Sequence, residues 1–136
     1  MNEEKLALWP VNGVQELIGW FGHWPSFHDT EILEVHLSRD NDSQIILEVS
    51  ESGPETDEDG HFIIHHQAIV RFILSEITEL FLSNFSEQNV ISDLVVEANG
   101  EYVSLEFKPC YGLSGRISAK CVRIELEPCP IEDQKL

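Results

Sequence analysis

Between Asn12 and Gly22 the apolar residues Val14, Leu17, Ile18 and Phe21 recur at three- and four-residue offsets, a stripe that predicts one short amphipathic helix. Asn12 is placed to accept a backbone hydrogen bond as its N-cap, and Gly22 to take the left-handed conformation past its end. The next stretch, His23-Trp24-Pro25-Ser26-Phe27-His28-Asp29, cannot continue the helix, because Pro25 pushes Trp24 toward extended backbone. We expect an ordered aromatic loop there.

From that loop onward the period changes to two. Leu33, Val35 and Leu37 alternate with Glu34, His36 and Ser38, and a turn at Asp40-Asn41-Asp42 leads to Ile45, Leu47 and Val49, which together predict a hairpin. Residues Phe62 to Leu74 form a long β-run that is largely apolar on both faces, predicting a central strand covered on both sides. Ile77 to Phe85 fits either period and is read as a further strand. Ile91 to Ala98 and Tyr102 to Phe107 flank Asn99-Gly100, the strongest short hairpin signal, and a last strand carries Val122, Ile124 and Leu126 between Arg123, Glu125 and Glu127.

No strand-helix-strand repeat demands a parallel sheet, so the expected fold is α+β and mostly antiparallel β, with about seven strands and one short N-terminal helix. A chain of 136 residues with 42% hydrophobic content can bury one sufficient core, and we expect a single domain over 1–136 with a frayed tail from about 128.

Charge changes the picture more than size does. The chain holds 25 Asp and Glu against 8 Lys and Arg, a formal net charge of −17. Nucleic acid is an unsuitable partner for such a surface, because binding it relies on cations that displace phosphate counterions. A basic protein is the suitable one. The carboxylates are densest at Glu51, Glu55, Asp57, Glu58 and Asp59, among the turn formers Gly53, Pro54 and Gly60, which reads as an exposed acidic loop and a candidate partner-binding site. Three cysteines, Cys110, Cys121 and Cys129, no basic-then-apolar leader and no apolar run of membrane-spanning length predict a cytoplasmic protein with reduced thiols and no membrane association.

Candidate chemistry is sparse. His61, His65 and His66 lie close in sequence, but in a strand the first two stand about 13 Å apart and the last two point to opposite faces, so one metal cannot bridge them. The cysteines lack a Cys-x-x-Cys pair, Asp57-Glu58-Asp59-Gly60 lacks the alternating ligands of a calcium loop, and Gly112-Leu113-Ser114-Gly115 lacks the spacing of a nucleophile elbow. No metal site, cofactor or catalytic set is therefore expected. Trp24, Phe27, His28 and Asp29 stay as a structural or functional group, since aromatics mixed with short polar side chains suit a helix-to-strand junction.

The run Gly19-Trp20-Phe21-Gly22-His23-Trp24-Pro25-Ser26-Phe27-His28-Asp29, followed by Glu31-Ile32, resembles the start of bacterial immunity protein 50 family members. Asn89-Val90-Ile91 and Tyr111-Gly112-Leu113-Ser114-Gly115 are similar to later family segments. The resemblance implies a protein made beside a polymorphic toxin that it binds and neutralises, and no binding residues come with it. Two other readings stay open: a small metal-binding protein or enzyme using His28 and Asp29, and a homo-oligomeric structural module. The oligomeric state is not readable from sequence.

Overall fold

The computed structural model describes the backbone at 11–56, 58–60, 62–98 and 100–129, and the side chains of those residues apart from 52–56 and 62–65. Among the described residues there is one helix, α1 (Val14–Phe21), and six strands: β1 (Thr30–His36), β2 (Ser43–Thr56), β3 (Phe62–Ser83), β4 (Val90–Ala98), β5 (Val103–Tyr111) and β6 (Ser114–Pro128). All six pair antiparallel and close into a barrel in the order β1-β2-β3-β6-β5-β4. The mostly antiparallel expectation holds. The expected tail beyond residue 129 lies outside the described residues.

The strand count is six instead of about seven because the runs expected at 62–74 and 77–85 are one strand, β3, paired with β6 from Ala68 to Ser83. Glu76, at φ 58°, bends it without ending it. Up to Leu74 β3 is bonded on both edges, and its outer face is covered in part, Ile73 being buried there. Ala68, Val70, Phe72 and Leu74 are buried inside the barrel, whereas Ile69 and Arg71 are half-buried outside, since a closed sheet has only one interior.

The alternation expected in β1 is broken by one residue. The β1–β2 register shifts between Ile32 and Glu34, so Ile32 is buried and Leu33 is left 38% exposed before Val35 turns inward again. A bulge of this kind takes an extra residue out of the pleat and lets the strand curve into the barrel. The Asn99-Gly100 signal is met: Ala98 pairs with Val103 across the connection between β4 and β5, although Asn99 itself lies outside the described residues.

The helix closes one end of the barrel. Val14, Leu17 and Phe21 join Val11 in the same buried cluster as the strand residues, each burial of a large apolar side chain contributing roughly 1.5–3 kcal/mol. Gly22 ends α1 as expected, its N–H donating to the Ile18 carbonyl at 2.7 Å. Asn12 does not cap it. Gly13 occupies the N-cap position at φ 95° with no side-chain bond, and Asn12 forms a parallel bridge with Arg123 while its carbonyl accepts the Ile124 N–H at 2.7 Å. The reason lies in β6, which runs on past its last pairing with β5 at Ala119 and so offers a free edge that Asn12 fills. A Cβ on Gly13 would lie 2.1 Å from the Ile124 carbonyl oxygen, so only glycine allows this approach.

Candidate functional site: the junction motif and the carboxylate face

The junction motif between α1 and β1 divides by side. Pro25 is buried, and Phe27 is 1% exposed with its ring 5.5 Å from Trp24 and 6.2 Å from Phe72 of the core. Phe27 and Asp29 both adopt positive φ, near 60°, which folds the chain sharply enough to drive one aromatic inward while leaving the next two side chains outside. Trp24 and Phe27 therefore anchor the loop.

His28 and Asp29 face solvent. His28 Nδ1 donates to the Ser92 carbonyl at 3.1 Å, and its Nε2 lies 3.5 Å from Asp29 Oδ2. The Cys110 thiol reaches Asp29 Oδ1 at 4.0 Å, so the sulfur's partner is the carboxylate. This differs from a base-activated nucleophile, in which an imidazole contacts the sulfur directly. His66 packs its ring against Trp20 and Phe21, at 5.4 and 6.0 Å, while His61 and the side chain of His65 lie outside the described residues. Among the described residues no group of three or more His, Cys, Asp or Glu is placed to hold a metal, and no helix is long and apolar enough to cross a membrane.

The segments of the chain that resemble the immunity protein 50 family at Asn89 and Gly112 meet in space. Asn89 is buried; its Oδ1 accepts the N–H groups of Ser86 at 2.9 Å and Leu113 at 3.0 Å, and its Nδ2 donates to the Ser86 carbonyl at 2.8 Å. One amide thus pins the loop before β4 to the two-residue turn between β5 and β6. Gly112 must lack a side chain there, because a Cβ would lie 2.6 Å from the Gln88 carbonyl.

The acidic site expected at 51–59 is not one loop. β2 continues through Thr56, so Glu51 sits in a strand, opposite His66 and half-buried. Its carboxylate bonds His23 Nε2 at 2.9 Å and accepts the Ser26 N–H at 3.3 Å, which ties the junction loop to β2. Glu58 and Asp59 are exposed at the hairpin tip, and Asp57 and the side chain of Glu55 lie outside the described residues. Gly53 and Pro54 fall where the β2–β3 register is irregular, between Ser52 and Thr56, and not where the chain reverses.

A second carboxylate surface emerges only from the register. Residues paired across a ladder share a face, which places Glu31, Glu48, Ile69 and Glu127 in one row on the outside of β1-β2-β3-β6, and Glu34, Ile46, Arg71 and Glu125 in the next. The arginines answer only one end of these rows, and at the other end His36 bonds Glu34 at 2.7 Å. Arg71 pairs with Glu127 at 3.1 Å, and Arg123 reaches Asp42 and Glu125 at 3.4 and 3.6 Å. Glu31 and Glu48 stand opposite each other with no ion pair among the described residues. Nothing in the sequence marks them, since they are far apart along the chain and each looks like an ordinary outward residue of a strand.

Compared with known proteins, the chain matches no curated protein and no solved structure, but the family model described as Immunity protein 50 matches it over residues 13–127. That span takes in α1, the junction loop and all six strands up to the last residue but one of β6. The chain belongs to the Immunity protein 50 family.

Proposed function

We propose that this immunity protein acts by binding, in the bacterial cytoplasm, a cognate toxin with a basic surface, and that it has no turnover of its own. Family membership implies an immunity role and hence a protein partner. The observation that carries the electrostatic part is the opposition of Glu31 and Glu48, a like-charge pair that a lysine or arginine of the partner would relieve. Glu58 and Asp59, exposed at the tip of the β2–β3 hairpin, add further carboxylates to the accessible surface. Charges of this kind chiefly speed encounter and select the partner, leaving most of the affinity to apolar anchors.

The experiment is co-expression with the product of the neighbouring toxin-like reading frame, followed by purification and stopped-flow association. A stable complex is expected, with an association rate that falls at least tenfold between 50 mM and 500 mM salt as screening shortens the reach of the carboxylates. Absence of a complex would remove the reading. A complex whose association rate ignores salt, and which is unchanged by Glu31→Gln with Glu48→Gln, would remove the electrostatic part alone.

A further inference from the structure

The barrel wall has a gap. Among the described residues β2 pairs with β3 no further than Ser43 opposite Leu74, so from Ser75 to Ser83 β3 is bonded there to β6 alone and no described strand lies beside its other edge. Facing that edge is the end of β1, which pairs with β4 only at Thr30 and Glu31 and is therefore free on that side from Leu33 to His36. Between them runs a groove in two depressions that share Leu37 as a wall. One, of about 430 Å³, is lined by Leu74, Ile77 and Leu80. The other, of about 360 Å³, is lined by Val35, Leu82, Phe85 and Leu113.

Two properties make this more than an irregular rim. Leu37, Leu80, Phe81 and Phe85 are 50%, 46%, 70% and 57% exposed, so apolar area is concentrated beside the free edge. The unbonded edge of β3 also presents alternate N–H and C=O groups that a further strand can satisfy. Residues pointing inward from such a strand would meet Leu80 and Leu82, which share the barrel-facing side with Ile117 and Gly115, and residues pointing outward would meet Glu79 and Phe81, which share the other side with Ser118 and Arg116.

We infer that this groove takes an extended segment of the toxin as an added strand, with apolar side chains at alternate positions and Lys or Arg between them. The inference rests on the toxin-binding reading above and names the place where it happens. Charge selects this occupant over a second copy of the chain. An antiparallel pairing of two such edges brings Glu76 of one copy toward that of the other, and each copy carries a net −17. Arg116 holds Glu79 at 3.7 Å and Arg39 lines the same depression as Glu76, but Glu76 is exposed with no ion pair among the described residues, so it is the carboxylate that a cationic strand would satisfy and a second copy would oppose.

The test is amide hydrogen exchange of the full chain, alone and with the toxin domain from the neighbouring reading frame, together with the double variant Leu80→Ser, Phe81→Ser. Leu80 and Phe81 are 46% and 70% exposed, and a circular dichroism melt checks that the variant is folded at the temperature of the binding assay. The expected result is at least tenfold slower exchange at the alternate amides of 76–83 that point away from β6, and at least a tenfold loss of affinity in the variant. If the toxin binds but those amides exchange at their free rate, strand addition is wrong and toxin binding by another surface stands. If the amides are already protected in a free chain that light scattering shows to be dimeric, a second copy holds the edge and the inference falls. A toxin that fails to bind the unaltered chain removes the functional reading and this one with it.

Discussion

Glu31 of β1 and Glu48 of β2 are direct cross-strand partners, two carboxylates facing each other on the outside of a barrel whose Arg71 and Arg123 are engaged with other carboxylates. A pair of like charges in that position opposes folding, and so it offers a handle on both stability and function.

Replacing Glu48 by Gln should raise stability by about 0.2–1 kcal/mol, the range of a cross-strand pair, and the same substitution should slow toxin association. Urea denaturation reads the first effect and stopped-flow the second. The unaltered protein should also gain stability as salt is added, because screening weakens repulsion throughout a chain of net charge −17, and the gain should shrink in the Glu48→Gln variant. Loss of stability on neutralising Glu48 would mean that the carboxylate has a native partner.

Asn89→Ala removes an amide that accepts from Leu113 and Ser86 and donates to Ser86, leaving buried backbone groups unsatisfied. We expect a loss of about 1–3 kcal/mol in urea denaturation. Exchange of the Leu113 amide, measured by NMR, should rise along with it. An unchanged midpoint would show that water replaces the side chain.

Gly13 and Gly22 flank the same helix, both at positive φ, and differ in surroundings: a Cβ on Gly22 meets nothing within 4 Å, and one on Gly13 meets the Ile124 carbonyl. Gly22→Ala should therefore cost about 1 kcal/mol, the conformational penalty alone. Gly13→Ala should cost about 3 kcal/mol or more, because the bridge from Asn12 to β6 must also open. Comparison of the two melting temperatures tests the helix docking, and equal losses would contradict it.

Phe72 is fully buried and touches Phe27, so it couples the junction loop to the barrel interior. Phe72→Ala should lose about 3–5 kcal/mol. Tryptophan fluorescence should shift to the red in the folded fraction, since Trp24 leans on Phe27 and gains water when that ring loosens. A melt that is lowered without any spectral change would place the disturbance elsewhere.

Much of this molecule was legible from residue order. The period of three and four from Val14 to Phe21 marked the helix, the period of two marked β1, β2 and β6, and Asn99-Gly100 marked the β4–β5 connection. These features depend on contacts within a few residues, or on one face being apolar, and both are written in local order. The resemblance at 19–29, 89–91 and 111–115 likewise pointed to the family that the match over 13–127 establishes.

What local order could not carry is pairing between distant segments. The bulge at Leu33 arises because β1 must curve to meet both β2 and β4, and the fusion of two expected strands into β3 arises because β6 is long enough to pair with all of it from Ala68 to Ser83. Asn12 left its expected cap because an edge of β6, more than a hundred residues away, needed a partner, and Glu51 left its expected loop because β3 paired with it. The free edge at Ser75–Ser83 and the opposition of Glu31 to Glu48 are of the same kind. Each is a consequence of register, which is decided by the cooperative fit of six strands around one core and by no single stretch of the chain.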